Sequence, residues 1–210
     1  MDGVNPPRRW SQRRDSARAQ RAAATRQALV DAARSLFADR GYHAVGVRDV
    51  TALAGVTRGA LSHHFPDKQS LFLAVFDAIE QELIAEGEAA SEGAAGADAW
   101  SRFRAGIQLY LQCAATRPDV QRVTLIDGPA VLGWRRWREV EEAYSLGALT
   151  AVLQAAMASG RIRDRPVEPL AHLLLGSVME AALLVANSDD PAARSVEVGQ
   201  ALDDLLSGLE

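Results

Sequence analysis

The sequence predicts an all-α protein: an N-terminal three-helix helix-turn-helix domain followed by a larger helical bundle. Three observations lead there. Apolar residues recur at helical spacing from about residue 25 to the end, with no strand pattern among them. Two short helical patterns flank a glycine between Val47 and Lys68. The charge is divided along the chain. Residues 1–70 carry 12 Lys and Arg against 6 Asp, and residues 71–210 carry 11 basic against 21 acidic residues. A basic front and an acidic rear direct any polyanion to the front. A chance split of surface charge is the plainer reading.

The first 24 residues are polar and rich in arginine, without apolar periodicity. They read as a flexible arm that either tracks phosphates or stays solvated. Ala28, Leu29, Ala32, Ala33, Leu36 and Phe37 form the stripe of a first helix from about Thr25 to Arg40, ended by Gly41. In the second helix, Val47, Val50, Leu53 and Ala54 share a face, behind Gly46 at the N-cap. Gly55 supplies the turn, Thr57 caps the third helix, and Ala60, Leu61, His64 and Phe65 continue its inner face. Pro66 stops that helix, and Asp67 caps a fourth that reaches about Glu88.

Further helices follow from Ala99 to about Arg117, from Val120 to a break at Gly128-Pro129, and from Trp134 to about Ser159. The segment Glu168–Asn187 is apolar nearly all round. It approaches membrane length, but His172 and Glu180 interrupt it and its neighbours are amphipathic, so no membrane span is expected. A helix apolar on every face is buried on more than one side. Packing against its own bundle and against a second subunit meets that need, with the last helix completing a twofold four-helix interface.

One cysteine, Cys113, excludes an internal disulfide framework and a cysteine-based zinc site. No apolar leader segment follows the basic N-terminus, which points to the cytoplasm and, with DNA as partner, the nucleoid. His63 and His64 are adjacent on a helix and diverge by about 100°, so they do not chelate a metal together. No nucleophile–base pair, metal set or phosphate loop is visible, so neither an enzyme nor a cofactor is expected.

The run Gly41-Tyr42, Val47-Arg48-Asp49-Val50, Ala54 to Leu61 and His64 to Lys68 closely resembles the TetR family of bacterial transcriptional repressors. With the first helix, the resemblance covers about 45 of 210 residues. It implies a homodimer with an N-terminal DNA-binding domain, here 25–70, and a ligand-binding and dimerisation bundle, here 71–210. Two departures stand out. The family commonly has tyrosine where Ser62 stands, and often Ser or Thr where Gly46 stands.

The DNA-binding candidates are Arg48, Thr57, Arg58, Gly59, Ala60, Ser62, His63, His64 and Lys68. Arg58 suits base readout, since a guanidinium pairs with guanine O6 and N7, or a phosphate contact. Thr57 offers a hydroxyl and free N–H groups to a phosphate, or is a plain cap. Gly59 and Ala60 are small enough to let the helix sink into the groove. Ser62 and His63 face outward; His64 is a phosphate contact or a half-buried core histidine. Lys68, the chain's only lysine, opposes the dipole at a helix start, which a phosphate partner would explain; Arg48 is a similar candidate.

The candidates for a small-molecule effector are Phe103, Ile107, Tyr110, Trp134, Trp137, Met179 and Glu180, all equally readable as ordinary core. Glu180 is also a candidate to pair with Arg122 across the bundle. The expectation is a ligand-released repressor on an inverted-repeat operator. An architectural DNA-binding protein with a filled bundle and no effector is the alternative.

Overall fold

The computed structural model describes residues 8–93 and 96–210, with the side chains of 16–91 and 96–210. It is helical, with no strand among the described residues. The helices are α1 (Arg8–Arg40), α2 (Val47–Leu53), α3 (Arg58–His64), α4 (Lys68–Gly93) and α5 (Ala99–Thr116). A π-helical segment (Val120–Asp127) then leads into α6 (Gly128–Leu132), α7 (Trp134–Ala158), α8 (Val167–Ala186) and α9 (Pro191–Ser207).

Helix α1 begins at Arg8, so most of the expected arm is helix; residues 1–7 lie outside the described residues. The stretch from Arg8 to Arg40 contains neither Pro nor Gly and is rich in Ala, Arg and Gln, all strong helix formers. Among its described side chains the buried ones lie in the C-terminal half, including Leu29, Val30, Ala33, Leu36 and Phe37. Gly41 closes α1 at φ +78°, and its N–H bonds Phe37 O at 2.9 Å. That positive φ favours glycine, and a Cβ there would push the Arg122 guanidinium aside.

In the head, α1, α2 and α3 pack around Leu29, Phe37, Val45, Val50, Leu61 and Phe65. Leu53, placed by periodicity on the inner face of α2, is instead 57% exposed. Gly46 offers no side chain as cap, yet Asp49 Oδ2 accepts from its N–H at 2.7 Å. Thr57 Oγ1 accepts from Ala60 N–H at 3.2 Å and caps α3. Asp67 caps α4, with Oδ1 accepting from Ser70 N–H at 2.7 Å.

Pro129 does not break the chain. Gly128 keeps helical angles, Pro129 falls in the first turn of α6, and the turn away comes at Gly133, φ +78°. In a π register an N–H bonds the carbonyl five residues back, so proline at 129 withholds a donor from Thr124 O. Trp137 Nε1–H supplies one at 3.0 Å from the first turns of α7. Gly128 lies so close that an added Cβ would sit 3.0 Å from Trp137 Cδ1 and 3.2 Å from Phe76 Cε2.

Helix α8 is long and apolar enough to cross a membrane. It packs on α5, α7 and α9, burying Ala171, Leu174, Leu175, Met179, Ala182 and Val185. Leu173 and Leu184 on its other side are exposed, as is Leu205 on α9.

Trp137→Phe removes the donor to a buried carbonyl and puts a smaller ring in place of the indole. We expect a loss of about 1–3 kcal/mol in stability, read as a lower urea midpoint; an unchanged midpoint would show that the bond contributes nothing.

Candidate nucleic-acid interface and ligand cavity

The first turn of α3 is open to solvent. Thr57, Arg58 and Gly59 are exposed and Ala60 is half-buried, so a groove could approach the backbone closely there. Ser62 and His63 are also exposed, while His64 is half-buried between the His63 and Phe65 rings, at 5.3 and 6.5 Å between centroids. Arg48 on α2 is exposed. Arg26 on α1 lies 5.2 Å over the Phe65 ring and adds a cation near the end of α3. It carried no motif in the sequence. Arg18 and Arg21 are exposed on α1.

Lys68 has a partner within the chain. Its Nζ sits 4.0 Å over the Tyr42 ring, a cation–π contact that offsets the unfavourable dipole at the start of α4. Partial burial pulls its ammonium below the ordinary lysine range, and the Asp127 carboxylate opposes that shift.

Asp127 joins the head to the rear. It is the last residue of the π-helical segment and is buried, yet its Oδ2 accepts from the Tyr42 N–H at 2.6 Å. Its Oδ1 lies 3.4 Å from Arg122 Nε. Arg122 is therefore engaged at the joint and not with Glu180. A second joint is ionic. Arg34 on α1 binds Glu82 of α4 with both terminal nitrogens (2.6 and 2.5 Å) and Asp119 at 2.6 Å. Arg117 reaches Glu82, Glu86 and Asp119 at 3.0–3.2 Å. The hydrogen bond from Arg34 holds the Glu82 carboxyl below its usual range.

Between α4, α5, α7 and α8 lies a cavity of about 610 Å³, within the range of small-molecule sites. Phe103, Ile107, Tyr110 and Met179 line it. Three expected members do not. Trp137 is fully buried and spends its N–H on Thr124 O. Trp134 is 58% exposed, its ring tilted against that of Trp137 at 5.0 Å between centroids. Glu180 faces outward from α8, beside Leu173, Leu184 and Leu205.

The cavity's acids come from elsewhere. Glu80 on α4 and Glu141 on α7 line it, and both are buried. Burial first, then the Asp77 charge, pushes the Glu80 carboxyl up to about 7. Burial and the Glu80 charge push Glu141 well above the carboxylate range, with Arg138 opposing. Burial and both carboxylates raise the Tyr110 phenol in turn. Tyr144, also lining the cavity, donates to Asp77 Oδ1 at 3.0 Å. In sequence, Glu80 and Glu141 each sit among other acids on amphipathic helices, and nothing local marks them as buried.

Two family models match the chain. One described as "Bacterial regulatory proteins, tetR family" covers residues 29–75, and one described as "Tetracyclin repressor-like, C-terminal domain" covers residues 100–209. The chain is 31% identical to the HTH-type transcriptional repressor Rv1474c of Mycobacterium tuberculosis, over 80% of this chain and 86% of that one. It is 26% identical to the Transposon Tn10 TetC protein of Escherichia coli, over 78% and 81% of the two chains. A solved TetR-family transcriptional regulator from Pectobacterium atrosepticum superposes with a TM-score of 0.79 at 34% identity, covering 90% of this chain and 96% of that one. The chain thus belongs to the TetR family, whose members are helix-turn-helix transcriptional regulators and not enzymes.

Proposed function

We propose that the protein is a homodimeric repressor that holds an inverted-repeat operator in the cytoplasm, on the nucleoid, and is released when a small molecule fills the cavity. One observation carries this reading. Helix α4 starts at Lys68, just after α3 ends at His64, and its Glu80–Ser91 stretch forms a cavity wall. From Lys68 to Glu88 this lever spans about 30 Å.

In this reading Arg58 reads base edges, and Thr57, Arg48, Ser62, His63 and His64 hold phosphates, with Gly59 and Ala60 allowing close approach. Lys68, stacked on Tyr42, positions the head more than it binds DNA. The helical extension of α1 carries the N-terminal arginines toward the duplex. Two copies place their α3 helices in successive major grooves. Leu173, Leu184 and Leu205 are exposed on the outer face of α8 and α9, which supports a twofold interface there.

An effector releases the operator only by binding the mis-spaced dimer more tightly than the DNA-bound one. Filling the cavity would displace α4 against α7, and with α7 the Trp137 anchor of the π-helical segment. Both lead to the head, one through Lys68 and the other through Asp127. The cavity itself favours this reading over an architectural protein with a filled bundle.

Selection of bound DNA from a random pool is expected to enrich an inverted repeat; a pool without one would refute the operator. Arg58→Ala is expected to weaken binding to that repeat by about 10- to 100-fold and to relax preference at one base pair per half-site, measured by gel shift. Leu173→Glu with Leu205→Glu should yield monomers by light scattering and lose tight operator binding. A double variant that stays dimeric would move the interface elsewhere.

A further inference from the structure

Glu80 and Glu141 are only 5% and 4% exposed, and each leaves its Oε1 buried without a hydrogen-bond partner. Both belong to the wall of one cavity. Buried acids without donors oppose folding, and a wall that had only to pack would carry Leu or Gln there. The remaining wall is largely apolar, with Phe103, Ile107, Val178 and Met179, and includes the rings of Tyr110 and Tyr144.

We propose that the cavity takes an organic cation, an amine with at least two N–H donors on an apolar body, and that Glu80 and Glu141 are its counter-charges. This rests on the reading of the cavity as the effector site. The ammonium supplies donors to two carboxyl groups that line the cavity and have none from the described residues. Its charge offsets the desolvation that keeps the pair protonated, and tyrosine ring faces attract a cation. A neutral alcohol brings fewer donors and no charge, and a carboxylate brings no donor at all. The wall's own cation does not substitute. Arg102 donates to the Ala97 carbonyl, while Arg138, behind Glu141, is held by Glu142 at 3.2 Å. The other ionisable groups around the pair and its cavity are Asp77 and Glu88 on α4, Tyr110 and Cys113 on α5 and Tyr144 on α7. Cation binding therefore expels a proton from the pair near neutrality.

Without ligand, these carboxyls titrate higher in the folded protein than in the unfolded chain. The Glu80 contribution to stability is complete below the ordinary carboxyl range and is lost as pH rises through about 7, and Glu141 acts in the same direction.

The test is calorimetric titration of the full-length protein with phenylbutylamine, phenylbutanol and phenylbutyrate. The amine is expected to bind about tenfold tighter than the alcohol and to release protons, read as a buffer-dependent enthalpy at pH 7. The butyrate is expected not to bind. E80Q and E141Q keep the volume of the side chains. Each is expected to weaken the amine about tenfold, leave the alcohol within about twofold, and reduce the loss of urea stability between pH 5 and 8. Equal affinity for amine and alcohol in the wild type, without proton release, overturns the cation while leaving the cavity as a binding site. Binding of none of the three probes overturns both. The wild-type comparison decides the matter even if a variant fails to fold.

Discussion

A single buried carboxylate, Asp127, ties the DNA-binding head to the rear bundle. It accepts from the Tyr42 backbone N–H at 2.6 Å, stands 3.4 Å from Arg122, and stabilises the Lys68 ammonium. Much else follows from its placement. Gly41 lacks a side chain where Arg122 crosses, and Tyr42 is oriented to stack on Phe37, Phe72 and Lys68. The π-helical segment delivers Asp127 to this point at its last residue, and Trp137 holds that segment by the carbonyl that Pro129 leaves without its π-register donor. Backbone geometry that would be a defect elsewhere is here the mount for the joint.

The head is thus attached twice, by Asp127 and by the cluster of Arg34, Arg117, Glu82, Glu86 and Asp119. Both attachments run to elements that also adjoin the cavity: α4 directly, and the π-helical segment through α7. A small volume change in the cavity therefore has two packed routes to the recognition helix. Packed interiors respond by shifting whole elements, because they are dense and resist local deformation.

Helix α8 shows how one pattern serves two surfaces. Its apolar faces include Met179 toward the cavity, Ala182 and Val185 in the core, and Leu173 and Leu184 in solvent in the single chain. Periodicity marks such a helix as buried on several sides. The same composition also satisfies a membrane test, and packing against α5, α7 and α9 is what separates the two.

What the sequence determined by itself was local. The helix-turn-helix, its Thr57 cap, the Gly41 and Gly55 turns, the Asp67 cap and most helix limits depend on residues within a turn of each other, and propensity and capping encode them there. The exposure of Thr57, Arg58, Gly59, Ser62 and His63 was legible for the same reason. Tertiary structure decided the rest. Arginine-rich composition alone did not distinguish helix from arm at residues 8–24. Pro129 reads as a breaker until Trp137, eight residues on, supplies the missing donor. Trp137 and Glu180 carried the signals of a binding site, aromatic bulk and a lone charge on an apolar helix, yet one is spent on Thr124 O and the other faces outward. Glu80 and Glu141 carried no signal, since periodicity reports which face a residue shares but not what faces it across the bundle. The two acids are 61 positions apart in the chain, and only the tertiary placement of α7 opposite α4, where Tyr144 reaches Asp77, turns two ordinary glutamates into one buried pair.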